Sequence, residues 1–373
     1  MSDRPVQVLV LIGQLGHGGA ERQVHEMVRR MDASRYEPVV ATFEAGGHYQ
    51  PLIERAGVPV LVLDKRGFGE ASLPFRLVRL IRGRRIGLVH AFLFPAYWRG
   101  VLAAGMAGGI PAICAVRSTG IWMNTRHRLM NRLALRCARA VIANAPAVKR
   151  DILEATGLEP DKVVVITNGV DTSLFAPGRG DLRRRWTGRA DGEEPGPPVV
   201  GFIGSLREAK DPLLFMRIAA LAARAAAGTR FVVVGDGPLR SRVEEAARRE
   251  PLEGLVHVEG ERSDVAEVLR SLDLLVVSSR REGCCNVILE AMATGLPVVA
   301  TQVGGNPDLV EPSRTGFLFP HGDAARGAGH VARILQEEGL AKRLGARARE
   351  AALERFSFES MMERTHRTYE DVL

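Results

Sequence analysis

Two glutamates, Glu282 and Glu290, flank a turn of small residues in the last third of this 373-residue chain. The stretch is "SSRREGCCNVILEAMATGLPVVAT" (278–301), in which a glycine, two cysteines and an asparagine lie between the two acids. Carboxylates accept hydrogen bonds from hydroxyl groups, so the pair could hold two sugars on either side of a charged linkage. Eight residues of helix would advance about 12 Å, roughly the length of a diphosphate with a sugar at each end.

The elements around these glutamates are predicted to be a strand, a turn and a helix. "DLLVVSS" has the composition of a strand, "RREGCC" that of a turn, and "NVILEAMATG" that of a helix closed by Gly295. Backbone N–H groups at the start of such a helix form a site suited to phosphate. The residues predicted to surround the phosphates are Gly283, Cys284, Cys285, Asn286 and Val287.

Short apolar runs alternate with amphipathic segments along the chain, beginning with "VQVLVLI" and "AERQVHEMVRRM". Strand, helix, strand at this spacing predicts parallel sheets covered on both faces. The alternation stops at "APGRGDLRRRWTGRADGEEPGPP" and then restarts. We therefore predict an α/β protein with two Rossmann-like domains facing each other across a cleft. The predicted boundaries are 1–175 for the N-terminal domain, 176–198 for a linker, 199–355 for the C-terminal domain and 356–373 for a helix packing back on the N-terminal domain.

Positive charge is concentrated in the first half of the chain. The net charge is +8, and residues 1–180 hold 24 Arg or Lys against 14 acids, whereas residues 65–150 hold 16 basic residues against one acid, Glu70. Such a field attracts phosphates in nucleic acid, in anionic lipid headgroups or in a diphosphate-linked substrate. A solvated arginine-rich surface is the alternative. Aromatic residues are 5% of the chain and no nucleic-acid-binding motif occurs, which argues against a nucleic acid partner.

Several classes of protein are excluded by the sequence. No apolar run reaches the roughly 20 residues of a membrane helix, and the first apolar run lacks the features of a signal peptide. The four cysteines offer neither zinc-ligand spacing nor a need for disulfides, which favours a reducing cytoplasm. Cys284 and Cys285 are interpreted as small side chains that leave room for phosphate.

The stretch "EGCCNVILEAMATGLPVVATQVGGNPDLV" resembles the signature of family 4 retaining glycosyltransferases, which have the GT-B fold. The resemblance implies that Glu290 binds the ribose of a nucleotide-sugar donor and that Glu282 contacts hydroxyls of the transferred sugar. It also implies that the C-terminal domain binds the donor and the N-terminal domain the acceptor. Further similar segments are "GHGGAER", "ITNGVD", "FIGSLREAKDP", "VVVGDGP" and "VHVEGERSDV".

The segment "GSLREAKD" resembles the diphosphate-binding loop of the same family. Family members commonly carry an arginine and, five residues later, a lysine on the diphosphate. Lys210 holds the lysine position, Ser205 occupies the arginine position, and Arg207 is the candidate substitute. A cation at this place stabilises charge on the leaving group, which makes Lys210 a predicted catalytic residue together with Glu282. The remaining donor contacts implied by the resemblance are Gly204, Gly260 and Arg262.

Candidates in the N-terminal domain are less specific. The glycine spacing in "GQLGHGG" does not fit a dinucleotide fingerprint, but the resemblance implies that Gly18 and Gly19 let the backbone approach the donor. His90, at the end of "IGLVH", is a third catalytic candidate, although family members frequently have the histidine two residues further on. A hydrogen-bonded core histidine is the alternative. Arg117 and Ser118 are candidate contacts for acceptor or phosphate.

The resemblance implies a retaining transfer of a sugar from a nucleotide diphosphate sugar, of UDP or GDP type, to a hydroxyl acceptor. In the implied front-face mechanism the leaving phosphate helps to deprotonate the acceptor, without a bound metal or other cofactor. The basic N-terminal half favours a sugar or polyprenyl diphosphate-linked acceptor, assembly of a cell-surface polysaccharide or glycolipid, and a cytoplasmic protein in peripheral contact with the anionic inner face of a membrane. A nucleotide-sugar 2-epimerase and a non-catalytic nucleotide-sugar-binding protein remain the alternatives.

Overall fold

The computed structural model describes residues 4–64, 72–117, 124–188 and 196–373. The chain divides into two compact units. The N-terminal unit comprises Met1–Gly169 and Phe358–Leu373, and the C-terminal unit comprises Val170–Ser357. Each unit is built on one parallel sheet with helices on both faces. The predicted α/β class with two Rossmann-like domains is confirmed.

The sheet of the N-terminal unit has seven parallel strands in the order β3-β2-β1-β4-β5-β6-β7. Most of its strand residues are buried, which explains why the strands are continuous apolar runs rather than alternating ones. The strands are β1 (Val6–Ile12), β2 (Tyr36–Thr42), β3 (Val60–Val62), β4 (Leu88–Phe92), β5 (Ala112–Val116), β6 (Ala140–Ala143) and β7 (Val163–Val165).

Helices cover this sheet in two layers. The helices are α1 (Gly19–Arg29), α2 (Gln50–Arg55), α3 (Leu73–Gly83), α4 (Phe94–Met106), α5 (Thr125–Cys137), α6 (Pro146–Thr156) and α15 (Phe358–Val372). One core cluster packs α3, α4, α5 and α6 on the sheet, and another packs α1, α2 and α15 on the opposite face. The last helix of the chain therefore belongs to the N-terminal unit, where Met361 and Tyr369 join the buried core.

The C-terminal unit has a six-stranded parallel sheet in the order β10-β9-β8-β11-β12-β13. Its strands are β8 (Val199–Ile203), β9 (Arg230–Val234), β10 (Val256–Gly260), β11 (Leu274–Val277), β12 (Val298–Thr301) and β13 (Gly316–Phe319). Its helices are α7 (Arg183–Thr187), α8 (Pro212–Ala225), α9 (Arg240–Ala247), α10 (Val265–Arg270), α11 (Asn286–Thr294), α12 (Asn306–Leu309), α13 (Ala324–Gln336) and α14 (Leu340–Arg355).

The segment predicted as a linker, 176–198, contains the short helix α7. Trp186 of this helix is buried, and its Nε1 donates a hydrogen bond of 2.9 Å to Glu259 Oε1. The described part of the segment thus packs against the C-terminal unit, because an indole ring is too large and apolar to leave in water. Within the described ranges, no helix is both long enough and apolar enough to cross a membrane.

Candidate active site

The candidate site lies where two loops leave adjacent strands of the C-terminal unit. β8 pairs with β9 on one side and with β11 on the other, so the strand order reverses its direction at β8. Ligands of open parallel sheets bind at such a switch point, beyond the carboxyl ends of the strands. The β8–α8 loop (204–211) and the β11–α11 loop (278–285) both begin there. They hold most of the residues that the sequence predicts for the donor.

Lys210 and Glu282 form an ion pair between these two loops. Lys210 Nζ lies 2.5 Å from Glu282 Oε1, and Ser279 Oγ donates a hydrogen bond of 2.6 Å to the same oxygen. The glutamate side chain is only 8% exposed, whereas the lysine side chain is 32% exposed. The structure therefore brings two of the three predicted catalytic residues together.

The charge state of Lys210 follows from this pairing. Burial acts to lower the pKa of the lysine, but the charge of Glu282 and its hydrogen bond outweigh burial, so the pKa is raised. Lys210 is therefore an ammonium group throughout the physiological pH range. A partly exposed, permanently charged ammonium at a switch point is suited to binding a diphosphate.

Three further hydrogen bonds hold the two loops in place. Ser278 Oγ donates to the carbonyl of Asp211 at 2.9 Å, and the Arg280 backbone N–H donates to the carbonyl of Ala209 at 2.9 Å. Thr301 Oγ1, at the end of β12, donates to the carbonyl of Ser279 at 2.7 Å. The position of Lys210 relative to Glu282 is thus set by the loop backbones, not only by the ion pair.

Asp211 is a buried carboxylate directly after Lys210. It caps α8 by accepting the Leu214 N–H, and its Oδ2 accepts from Arg280 Nε at 3.0 Å and lies 2.9 Å from His321 Nε2. Its backbone is left-handed, with φ 43°, which is uncommon for a residue other than glycine. Strain of this kind persists only where the surroundings over-determine it, and here three side-chain interactions do so.

Helix α11 begins at Asn286, after the loop that leaves the carboxyl end of β11. Its cap residue Cys285 is buried, as is Cys284. Burial, together with the charge of Glu282, raises the pKa of the Cys285 thiol, so this thiol is neutral and not an activated nucleophile. Among the described residues, no group of three His, Cys, Asp or Glu could hold a metal ion.

Glu282 lies in the turn before α11, and Glu290 lies in the helix. Only the residues from Asn286 onward are helical, so the spacing expected for a continuous helix does not apply between the two acids. Glu290 is buried, and its carbonyl accepts a hydrogen bond of 2.8 Å from Thr294 Oγ1. Asn286 and Val287 of the first turn are half-buried, as is Gly283 before them.

The predicted diphosphate loop passes close to a glycine that directly follows the neighbouring strand β9. Gly235 follows β9 with φ +136°, and a side chain there would collide with the carbonyl of Gly204. The backbone can reach this approach only with glycine. Ser205 is half-buried, and Arg207 is exposed on the turn that leads to Lys210.

The other two donor candidates of this unit lie after β10. Gly260 has φ +73° and ends the strand. Arg262 donates to both carboxylate oxygens of Asp264, at 2.9 and 2.6 Å, and to Glu259 at 3.1 Å. The hydrogen bonds to Asp264 raise the pKa of this guanidinium. Arg262 is therefore already held by two carboxylates of its own chain.

The sequence suggested that His90 ends its strand, but in the structure His90 lies in the middle of β4. β4 continues to Phe92, because Ala91 and Phe92 stay in register with β5. The imidazole is only 2% exposed, and its Nδ1 lies 2.7 Å from the hydroxyl of Tyr369 in α15. Burial, with a smaller contribution from the charge of Arg117, lowers the pKa of His90 to about 3.

The remaining candidates belong to the N-terminal unit. Gly18 is the N-cap of α1, and the carboxylate of Glu21 folds back beside it, so a side chain at Gly18 would collide with that group. Gly19 is the first residue of the helix. Arg117 donates a hydrogen bond to Asn168 Oδ1, and its guanidinium lies over the Phe92 ring at 5.1 Å. Ser118 lies outside the described residues.

Ser279, Asp211, Arg280 and His321 contribute to the site but were not predicted. Asp211 had a usable signal, because an aspartate before Pro212 at the start of an apolar run is typical of a helix N-cap. Ser279 and Arg280 follow a central strand, which is where parallel sheets place ligand-binding residues. His321 is 110 residues from its partner, and no local pattern indicates that contact.

Comparison with known families agrees with this geometry. The family model described as "Glycosyltransferase Family 4" matches residues 17–174, and the model described as "Glycosyl transferases group 1" matches residues 197–337. A protein of Mycolicibacterium smegmatis named GDP-mannose-dependent alpha-mannosyltransferase is 30% identical over 72% of this chain and 72% of its own. A protein of the same name from Mycobacterium tuberculosis is 34% identical over 67% of this chain, which spans 64% of that relative's length.

A solved structure is similar over almost the entire chain. HepE of Anabaena, crystallised in complex with UDP, superposes with a TM-score of 0.83 at 25% identity, covering 98% of this chain and 100% of its own. The GT-B fold implied by the sequence is therefore confirmed. The two family models match the two units in turn, and the M. smegmatis relative matches across both. On these grounds the chain belongs to glycosyltransferase family 4.

Proposed function

We propose that this chain is a retaining glycosyltransferase that moves a sugar from a nucleoside diphosphate sugar to a hydroxyl group. The observation that carries the proposal is the pairing of Lys210 with Glu282 and Ser279 at the switch point of the C-terminal sheet. It places a permanent cation beside a carboxylate and next to the start of α11. A diphosphate needs the cation and the helix start, and a sugar needs the carboxylate.

The donor-binding roles follow from position. The ammonium of Lys210 and the first-turn N–H groups of α11 bind the diphosphate, with the exposed Arg207 as a second cation. Glu282 then accepts hydrogen bonds from hydroxyls of the transferred sugar, and Glu290 accepts from the ribose. Both a uridine and a guanosine donor are compatible with the relatives, since HepE was crystallised with UDP and the mycobacterial proteins are named for GDP-mannose.

The proposed chemistry uses the leaving group itself as the base. The bond between sugar C1 and the β-phosphate oxygen breaks, and a bond from the acceptor oxygen to C1 forms on the same face. The acceptor proton passes to that phosphate oxygen, so nucleoside diphosphate leaves and the configuration at C1 is retained. Lys210 and the helix start stabilise the negative charge that develops on the diphosphate.

The acceptor is proposed to be a sugar or a polyprenyl diphosphate-linked sugar, in assembly of a cell-surface polysaccharide or glycolipid at the cytoplasmic face of a membrane. The excess of 16 basic residues over one acid in residues 65–150 supports an anionic acceptor. His90 is left out of the proposed catalytic set, because it is buried and engaged with Tyr369. The roles of Gly18, Gly19, Gly260, Arg262, Arg117 and Ser118 stay predictions.

The test is a donor panel with product analysis. The purified chain would be incubated with UDP-glucose, UDP-galactose, UDP-N-acetylglucosamine and GDP-mannose, each with short-chain polyprenyl diphosphate sugars as acceptors. Release of nucleoside diphosphate identifies the donor, and NMR of the product identifies the anomeric configuration. Lys210→Ala should abolish most of the release, whereas Lys342→Ala, which changes an exposed lysine of the same unit, should not.

Three outcomes would contradict the proposal in different ways. A product with inverted configuration would overturn the retaining mechanism while keeping the glycosyltransferase. Conversion of the donor into its epimer without transfer would support the epimerase alternative. Nucleotide binding without turnover on any acceptor would support the non-catalytic alternative.

A further inference from the structure

An apolar groove lies between α4 and α5 in the N-terminal unit, on the outer side of the helix layer. Its volume is about 550 Å³, and its lining is almost entirely apolar. A groove of this composition offers few hydrogen-bonding groups to a polar ligand. The side chains that line it include Trp98, Val101, Leu102, Met106, Met130 and Leu133.

Large apolar side chains beside this groove face solvent. Leu129 is 68% exposed and Leu133 is 63% exposed, and they lie four residues apart on one face of α5. Leu102 and Met106 of α4 are exposed in the same way. Grouped apolar residues at the surface mark an interaction site more often than single ones do.

A second cavity adjoins the groove and carries positive charge. It has a volume of about 510 Å³ and shares Val101, Gly105 and Cys137 with the groove, while Arg139 and Lys162 line its other side. Lys162 Nζ is held here by a hydrogen bond of 2.5 Å to the carbonyl of Arg136. The apolar groove therefore opens onto a cationic pocket.

The helices around the groove carry only positive charge. α3, α4 and α5 together contain eight arginines and no Asp or Glu. On α5 the exposed residues Arg128, Arg132 and Arg136 recur every four positions, in a stripe beside Leu129 and Leu133. Neither cavity has an acid among the described residues that line it.

We propose that the α4–α5 groove and the adjoining cationic pocket are the surface by which this chain binds an anionic lipid bilayer. Hydrocarbon of the bilayer fills the groove around Leu129 and Leu133, and lipid phosphate binds at Arg139 and Lys162. An amphipathic helix with arginines beside exposed leucines is suited to lie in a membrane interface. Anionic headgroups attract juxtamembrane cations strongly enough to add to this binding.

A bilayer bound at the groove and the cationic pocket would leave the carboxyl edge of the N-terminal sheet free for ligands. The second cavity is lined by Ala112, the first residue of β5, and by Ala138, two residues before β6, so it lies at the amino ends of these strands. Ligands of parallel sheets bind at the opposite, carboxyl edge. This inference deepens the proposed function, on which it rests for its purpose, since a lipid-linked acceptor would be met at a bilayer. Its test measures vesicle binding alone and needs no turnover.

The first experiment is flotation with vesicles. The full chain should bind phosphatidylglycerol-containing vesicles, bind pure phosphatidylcholine vesicles weakly, and lose affinity with added salt. Leu129→Ser with Leu133→Ser should weaken binding roughly tenfold or more, because two apolar contacts are lost. The matched control is Leu174→Ser with Leu353→Ser, which changes two exposed leucines of the C-terminal unit and should leave binding unchanged.

The second experiment uses Cys137, which is exposed and lines both cavities, whereas the other three cysteines are buried. An environment-sensitive fluorophore on Cys137 should shift to the blue when anionic vesicles are added. The control is a fluorophore on Leu353→Cys in a Cys137→Ser background, which should not shift. Equal emission with and without vesicles at Cys137 would overturn the proposal.

Two further results would also decide against it. Vesicle binding that is insensitive to the Leu129 and Leu133 changes would place the membrane contact elsewhere. Self-association that these changes abolish, without vesicle binding, would assign the groove to a second copy of the chain. A thermal-shift measurement of nucleotide binding separates this proposal from the proposed function. If the unmodified chain binds vesicles but no nucleotide, only the proposed function is contradicted.

Discussion

Lys210 and Glu282 are 72 residues apart in the chain, yet their side chains meet at 2.5 Å between two loops of the C-terminal sheet. The pair joins the cation proposed for the diphosphate to the carboxylate proposed for the sugar. Ser279 holds the same glutamate oxygen at 2.6 Å. The two halves of the donor site are therefore coupled, and a change in one residue is expected to affect the other.

Lys210→Met is expected to lower kcat for transfer by about 10²–10³-fold, because a positioned charge on the leaving group is lost. Glu282→Gln should have a smaller effect on kcat, since the amide oxygen can still accept from Ser279 and from a sugar hydroxyl. Steady-state kinetics with a saturating donor measures both. Lys342→Met is the control, and equal losses in the control and in Lys210→Met would contradict the assignment.

Asp211→Asn is expected to reduce the free energy of unfolding by about 1–2 kcal/mol, since the half-exposed Arg280 would lose a charged hydrogen-bond acceptor. The loop carrying Lys210 should also become less ordered, so nucleotide affinity should fall. Chemical denaturation and thermal shift with the identified nucleotide measure these effects. His321→Gln, which keeps a hydrogen-bond donor, should have a milder effect on both. A fully stable Asp211→Asn variant would show that the interactions around Asp211 contribute little.

The burial of His90 predicts a loss of stability in acid. Its pKa is lowered from an ordinary value of 6.5 to about 3, so below pH 6.5 the unfolded chain binds a proton that the folded chain does not. Above pH 6.5 the burial of His90 costs no free energy of unfolding through this proton. As the pH falls from 6.5 towards 3, the free energy of unfolding decreases by up to about 1.4 kcal/mol per pH unit. The free energy of unfolding of His90→Gln should therefore depend less on pH in this window. His48→Gln, which removes an exposed imidazole, should keep the wild-type slope.

The four cysteines are expected to differ sharply in reactivity. Cys137 is exposed, whereas Cys114, Cys284 and Cys285 are buried, and burial raises the pKa of Cys114 and Cys285. A chromogenic disulfide reagent should therefore modify one thiol rapidly in the native protein and all four in denaturant. Cys137→Ser should remove the rapid phase. Rapid modification of a second thiol would mean that one of the three buried cysteines becomes accessible to the reagent in solution.

Some residues lie in the elements that the sequence predicted, because the sequence patterns used for these predictions are local. Gly295 ends α11 with φ +79°, as the sequence predicted from a glycine after the last apolar residue. The strand, turn and helix around Glu282 are also as predicted, since the switch from a β-rich run to helical spacing is visible within about 20 residues. Local patterns of this kind predict elements and the sheet edge where ligands bind.

His90 shows where local patterns fail. A histidine near the end of an apolar run can face solvent or pack inside, and the run itself does not distinguish the two. His90 is buried because α15 packs on it, and Tyr369 of this helix, which contacts the imidazole, is 279 residues away in sequence. The groove between α4 and α5 could not be predicted from local patterns either, because its exposed leucines have the same helical spacing as buried leucines.

The sequence alone determined two parallel-sheet domains, the excess of positive charge in the first half, and the types of residue available to bind a diphosphate and sugar hydroxyls. These follow from periodicity, composition and short motifs, which are properties of neighbouring residues. Tertiary structure alone decided that Lys210 meets Glu282, that Asp211 holds Arg280 and His321, and that His90 is buried. Each of these depends on chain segments 69 to 279 residues apart that only folding brings into hydrogen-bonding distance.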